Sequence, residues 1–166
     1  DVNIAPTVAS ARELPESAVV KSVVPFELII YFLPFVKPDV TATPEVSSKI
    51  SLDKKKLLKS AVTMEKDFYI RGIKSLARKY KKWILIGSLI LKDKKNKLVN
   101  RSVLISPSGN INCFYDKIHM YDAKLSKKEK YFESKLFKSG NKIKIAKLPW
   151  GKLGLSICYD LRFPSM

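Results

Sequence analysis

Cys158 closes the run Leu153-Gly154-Leu155-Ser156-Ile157-Cys158, in which large apolar and small residues alternate. A period of two puts Leu153, Leu155 and Ile157 on one face of a strand and Gly154, Ser156 and Cys158 on the other. A thiol carried into a turn where a buried strand ends is well placed to be a nucleophile. Free cysteine is also among the most buried residue types, so a small apolar filler is the competing reading. A nucleophilic thiol, mostly protonated near neutral pH, needs a base or a nearby positive charge. The chain has one histidine, His119, in Tyr115-Asp116-Lys117-Ile118-His119, directly after a predicted strand, and a Cys–His pair is open on that basis. Lys117 lies two residues away, on the same side if the chain is extended there. Buried beside a reacting carbonyl, it would donate to a developing oxyanion, and the base would then have to be a carboxylate. Glu45 follows Pro44 at the C-terminal edge of a short β-prone stretch, where open sheets commonly place functional groups, and Glu133 sits in Tyr131-Phe132-Glu133-Ser134. As bare residues both glutamates read as surface charges.

The elements that would position these groups follow α/β grammar. Residues 39–43 form a short strand stopped by Pro44. Between 64 and 80, Tyr69, Ile73, Leu76, Ala77 and Tyr80 fall at helical spacing with basic residues between them. The continuous apolar run 83–91 suits a strand buried on both faces. Residues 99–105 and 111–115, joined by Pro107-Ser108-Gly109-Asn110, form a hairpin. Residues 116–140 read as a long, irregular, basic loop. Residues 142–148 alternate Ile143 and Ile145 with lysines as a half-exposed strand, which Pro149-Trp150-Gly151 turns into the cysteine strand. Residues 28–33 could form a buried strand, whereas 1–22 read as loop or disorder.

With 32 Lys and Arg against 15 Asp and Glu, the formal charge of +17 raises nucleic acid or an anionic surface as partners. The lysines are scattered through expected turns and helix faces, with no zinc-ligand spacing or aromatic-basic RNA signature among them. They read as a solvated surface, so no nucleic-acid partner is expected. The apolar run 23–36 is too short for a membrane helix and is broken by Pro25, Glu27 and Pro34, so no membrane partner is expected either. Two cysteines, Cys113 and Cys158, give no disulfide framework, and the compartment reads as reducing and cytoplasmic.

Three segments in order carry a family resemblance: Tyr115-Asp116-Lys117-Ile118-His119-Met120-Tyr121-Asp122, then Tyr131-Phe132-Glu133-Ser134, then residues 150–164 around Cys158-Tyr159-Asp160-Leu161-Arg162. Together they resemble the nitrilase superfamily of carbon-nitrogen hydrolases, in the branch of omega-amidases and deaminated-glutathione amidases. Residues 83–91 and Asn100-Arg101-Ser102 are similar to that branch as well. The resemblance implies an α/β fold, an incomplete four-layer α-β-β-α sandwich. It also implies a Glu-Lys-Cys triad in which Cys158 is the nucleophile, Lys117 stabilises the oxyanion and Glu45 is the general base. Glu133 resembles the family's second pocket glutamate, the backbone N–H of Tyr159 would be a further oxyanion donor, and Arg162 would meet a substrate carboxylate or pair with Asp160. His119 then becomes a structural neighbour of the lysine and Cys113 a core thiol. The implied reaction is hydrolysis of a small linear amide through a thioester, with ammonia released and no cofactor. A nitrile is the alternative substrate. Relatives of full length are implied to be homo-oligomers.

The division expected is an atypical, poorly ordered segment at 1–37 and a partial carbon-nitrogen hydrolase domain at 38–166. Because family members continue well past the nucleophile turn, a fragment with exposed apolar surface and unpaired sheet edges is expected. The competing functional readings are a catalytically inactive remnant or a basic binding module.

Overall fold

The apolar run that starts at Trp83 forms β2 (Trp83–Lys92), and the main sheet is assembled on its two edges. The computed structural model describes residues 40–47, 54–124 and 130–166. On one edge β1 (Val40–Ala42) pairs parallel with β2, from Val40 against Trp83 to Ala42 against Leu85. On the other edge β3 (Leu98–Ile105) pairs antiparallel with β2, and β4 (Ile111–Asp116) pairs antiparallel with β3. Parallel neighbours need a crossover. Here the chain between β1 and β2 carries α1 (Lys54–Ser60) and α2 (Phe68–Tyr80).

Helix α2 starts where Asp67 accepts the N–H of Ile70 at 3.0 Å, an N-cap that satisfies one donor of the first turn. It stops at Lys81, whose φ of 54° ends the helical geometry, while Lys82 N–H reaches back to the Ala77 carbonyl at 3.2 Å. Tyr69, Ile70, Ile73, Leu76 and Ala77 bury its apolar face on Ile84, Ile86, Leu89 and Leu91 of β2 and on Val99, Val103 and Ile105 of β3. Each of the larger side chains contributes about 1.5–3 kcal/mol by leaving water. The residues of β2 that face α2 switch from even to odd numbers between Ile86 and Leu89, where its register against β3 shifts. That is a β-bulge at Gly87 and Ser88.

The opposite face of the sheet receives a second layer. After β5 (Asp122–Lys124), β6 (Lys130–Phe132) and a 3₁₀ turn at Glu133–Lys135, the chain forms an antiparallel pair, β7 (Lys144–Leu148) and β8 (Gly151–Leu155). Leu155 and Ile157 pack there on Tyr115, with Leu85 and Cys113 beside them. The order α2, main sheet, second sheet supplies three successive layers of an α-β-β-α sandwich. Leu155 and Ile157 face inward while Gly154, Ser156 and Cys158 are exposed, the alternation expected of the cysteine strand.

Three elements depart from the sequence reading. Residues 116–140 are not an irregular loop: β5 and β6 pair within them, Asp122 opposite Phe132, and the Asp122 carboxylate accepts from both the N–H and the hydroxyl of Ser134. Helix α1 was hidden in a lysine-rich run, and it is held because Leu57 within it and Ala61 just after it bury against Ile90 and Leu98. In β7 the inward residue is Ala146, whereas Ile145 stands 61% exposed on the outer face. Leu161 is 77% exposed. The readings for residues 1–37, including a strand at 28–33, lie outside the described residues.

A Cβ on Gly87 would lie 2.1 Å from the Thr43 carbonyl oxygen, whereas at Gly154 nothing lies within 4 Å. Gly87→Ala is expected to destabilise the chain by about 1–3 kcal/mol, and Gly154→Ala to stay within about 0.5 kcal/mol of the parent. Urea unfolding of both variants checks this, and equal midpoints would contradict it.

Candidate active site

Glu45 is placed by the bulge. Past β1, Thr43 N–H still reaches the Leu85 carbonyl at 2.9 Å, and then Pro44 ends the ladder. The turn is stitched to the bulge. Gly87 N–H donates to Thr43 Oγ1 at 3.2 Å, Val46 N–H to Ser88 Oγ at 2.9 Å, and Ser47 N–H to the Ser88 carbonyl at 3.0 Å. Val46 adopts φ 52°, a left-handed conformation held by these bonds. Only a glycine at 87 lets the turn lie so close to β2.

Lys117 follows β4 and is held on both sides. Its N–H donates to the Asn100 carbonyl at 2.9 Å, and its own carbonyl accepts from Gly140 at 2.8 Å. The side chain is 2% exposed. Its Nζ meets both carboxylate oxygens of Glu133 at 2.9 Å and Glu45 Oε1 at 3.7 Å. Glu133 is fixed in turn by Tyr121, whose N–H donates to Oε2 at 2.7 Å and whose carbonyl accepts Glu133 N–H at 3.2 Å. The β5–β6 arm brings residue 133 back alongside residue 121.

Cys158 begins the 3₁₀ turn Cys158–Arg162 with φ 48°, and its side chain opens to the cleft. Left-handed backbone at a residue with a Cβ persists only where its surroundings hold it. Here Asp160, 1% exposed, supplies the hold. Its Oδ2 accepts from Ile157 N–H at 3.0 Å and the Tyr115 hydroxyl at 2.7 Å. Its Oδ1 takes His119 N–H at 2.9 Å and His119 Nδ1 at 2.8 Å. Burial alone would raise this carboxyl, but the donors outweigh it and hold Asp160 below the usual range.

Burial pushes the Cys158 thiol above its ordinary value. Glu45 adds to this by its charge and by hydrogen-bonding the thiol, and Glu133 adds its charge, while the Lys117 ammonium opposes them. A thiol raised in this way favours its S–H form beside Glu45. That arrangement suits proton transfer to a base during attack rather than a standing thiolate.

Glu45, Asn100, Lys117, Glu133 and Cys158 line one cleft of about 620 Å³, whose far wall includes Leu57, Ile90 and Phe137. His119 does not face it: the ring stacks on Phe163 at 3.6 Å with Nδ1 on Asp160. The open choice between His119 and Lys117 beside the thiol thus goes to Lys117. Cys113 sits in β4, half-buried, its thiol raised by burial. The Tyr159 ring packs edge-on against Tyr121 and Phe163 outside the cleft lining. Arg162 is exposed and away from the cleft, and the pairing with Asp160 does not form because His119, Tyr115 and Ile157 occupy that carboxylate. Asn100 and Asp160 were missed as site residues. The available signal for Asp160 was its place two residues after the cysteine, within the motif itself.

The α-β-β layering and its cleft are those of a known family: residues 34–166 match the family model for carbon-nitrogen hydrolase, and the chain belongs to that family. Among individual proteins it is similar to a deaminated glutathione amidase of Dictyostelium discoideum, 41% identical over 106 residues that cover 61% of this chain and 36% of that protein. It is also similar to the nitrilase and fragile histidine triad fusion protein NitFhit of Caenorhabditis elegans, 32% identical over 133 residues, 78% of this chain and 30% of that one. The C. elegans NitFhit crystal structure superposes with a TM-score of 0.72 over 84% of this chain and 34% of that chain, at 32% identity. Saccharomyces cerevisiae Nit3 superposes at 0.68 over 84% of this chain and 49% of that one, and at 21% identity this shows the fold alone. The chain spans about a third of the length of the curated relatives it matches. Among the described residues no helix is long and apolar enough to cross a membrane, and no group of three or more His, Cys, Asp or Glu could hold a metal.

Because Cys158 is exposed and Cys113 half-buried, iodoacetamide is expected to alkylate Cys158 first. Lys117→Ala removes the charge that lowers the thiol's pKa, so the Cys158 rate at pH 7 should fall, about tenfold for each unit of upward shift. Mass spectrometry of the two cysteine peptides reads both rates. Equal, slow labelling of both thiols, unchanged by Lys117→Ala, would contradict the geometry.

Proposed function

We propose that this chain carries the catalytic machinery of an amidase that hydrolyses a small linear amide through a thioester on Cys158. The observation that carries the reading is the convergence, in one cleft, of the Cys158 thiol, Glu45 and a buried Lys117 ammonium 3.7 Å from that glutamate. In the proposed sequence Glu45 takes the thiol proton as the Cys158 sulfur attacks the amide carbon. Lys117 Nζ and the Tyr159 backbone N–H stabilise the oxyanion. The C–N bond breaks as Glu45 returns the proton to the leaving nitrogen, and ammonia departs. Glu45 then deprotonates a water that attacks the thioester, releasing the carboxylic acid and restoring the S–H. Glu133 keeps the lysine in place. Each step moves one proton through one carboxylate, so no cofactor is invoked.

The substrate class proposed is the ω-amide of a 2-oxo acid, free or within a deaminated peptide. Its support is the naming of relatives as deaminated glutathione amidases and, in S. cerevisiae, an omega-amidase 31% identical over 99 residues. The proposed setting is cytoplasmic, with neither nucleic acid nor membrane as a partner and self-association in the full-length relatives.

Ammonia release from 2-oxoglutaramate tests the reading. The chain is expected to turn it over, with Cys158→Ala and Glu45→Gln each lowering kcat by roughly 10³-fold or more. Hydroxylamine is expected to divert the thioester to a hydroxamate. Turnover retained in Cys158→Ala would refute the mechanism, and none in the parent chain would favour a catalytically inactive remnant.

A further inference from the structure

Asn100 is a buried polar residue on a strand face that it shares with Leu98, Ser102 and Leu104. Along β3, Val99, Val103 and Ile105 point to α2, while Leu98 packs with Ile90 on the other side. Asn100 shares that second side by period two and is 2% exposed. Its Nδ2 donates to Glu45 Oε1 at 3.0 Å. Its Oδ1 is buried and has no hydrogen-bond partner among the described residues. An unpaired buried oxygen opposes folding, and a leucine or valine there would avoid it. The value of an amide at this position therefore lies in its other atom. The same residue also binds Lys117 through its backbone, the carbonyl accepting Lys117 N–H at 2.9 Å.

We propose that Asn100 is a positioning residue that pins Glu45 Oε1 and so turns the carboxylate's second oxygen toward the Cys158 thiol. The proposal rests on the reading of Glu45 as the base for Cys158. The Glu45 side chain is 35% exposed, with water on one side. Its backbone turn is fixed by the bulge, but the carboxylate still has torsions to spend, and Lys117 at 3.7 Å is too distant to fix them alone. A direct bond to one oxygen removes that freedom and presents the other in a constant direction, the geometric requirement for proton transfer. Through its carbonyl and its amide Asn100 also sets the separation between lysine and glutamate, so β3 acts as the common ruler for both.

The test is the pH dependence of Cys158 alkylation by iodoacetamide in the full chain, with Asn100→Leu, Asn100→Ala, Glu45→Gln and the Asn100→Leu/Glu45→Gln pair. Glu45→Gln removes a charge and an acceptor that raise the thiol, so its midpoint is expected to fall. Asn100→Leu and Asn100→Ala, by freeing Glu45 to swing into water, should each produce about half of that fall or more, and Asn100→Leu should add nothing in the Glu45→Gln background. Loss of packing alone would not follow this pattern. A midpoint unmoved by either Asn100 variant, or moved equally with and without Glu45, overturns the proposal. A midpoint unmoved by Glu45→Gln overturns the base reading and this proposal with it. Should both Asn100 variants unfold, the side-chain amide resonance of Asn100 in the parent chain provides the check: it is expected to shift on Glu45→Gln, and its failure to shift overturns the proposal.

Discussion

The Asp160 carboxylate is the constraint on which the site depends. It takes donors from two segments of the chain: Ile157 on the nucleophile turn, and Tyr115 and His119 on the segment that carries Lys117. Those two segments are about 40 residues apart in sequence, and nothing local dictates their spacing. One buried carboxylate with each oxygen accepting twice fixes it, and the φ of 48° at Cys158 is tolerated because the turn around it is held this way. Tyr115 is the complementary partner. Burial first, and then its bond to Asp160, push its hydroxyl well above the usual tyrosine range, so it stays a donor.

A second buried charge group sits a few residues away. Lys117 is out of water between Glu133 at 2.9 Å and Glu45 at 3.7 Å. The asymmetry matters chemically. The short pair holds the ammonium, and the long pair leaves Glu45 able to serve the thiol. A buried cation deprived of its close carboxylate would be strongly destabilising, typically by about 3–5 kcal/mol, which gives Glu133 a structural duty alongside its place in the cleft. The bulge at Gly87 and Ser88 performs the matching task for Glu45, and β3 spans the gap through Asn100.

How much of this was legible in the sequence depends on the range of the interaction. Period two placed Leu155 and Ile157 inward and Cys158 outward, and the helical spacing of Tyr69, Ile73 and Leu76 found α2, because those patterns express burial residue by residue. The hairpin of β3 and β4 was legible from its turn chemistry. Glu45, Lys117, Glu133 and Cys158 were legible only through motifs, and the cleft does unite them. The β5–β6 arm escaped because its pairing is short and polar, stabilised by Asp122 on Ser134 rather than by an apolar stripe. Helix α1 escaped because, among its described side chains, Leu57 alone is buried within a lysine run. Asn100 and Asp160 escaped as site residues because their partners are far along the chain. Arg162, read as meeting a substrate carboxylate or pairing with Asp160, lies exposed in the 3₁₀ turn that follows the cysteine.

The most direct measurement is the unfolding free energy of the parent chain and of Asp160→Asn as a function of pH. Asparagine keeps the shape but sets an NH₂ group against the Ile157 N–H or the His119 N–H, leaving buried donors unpaired. Asp160→Asn is expected to cost about 2–4 kcal/mol near pH 7. A carboxylate held low in the folded state stabilises fully above its unfolded value of about 3.9, and that contribution is lost as pH falls through the lower folded value. The gap between the two proteins should therefore be widest above about pH 5 and close in acid. Two curves that run parallel from pH 7 to pH 2, or an Asp160→Asn chain as stable as the parent, would contradict the place given to Asp160.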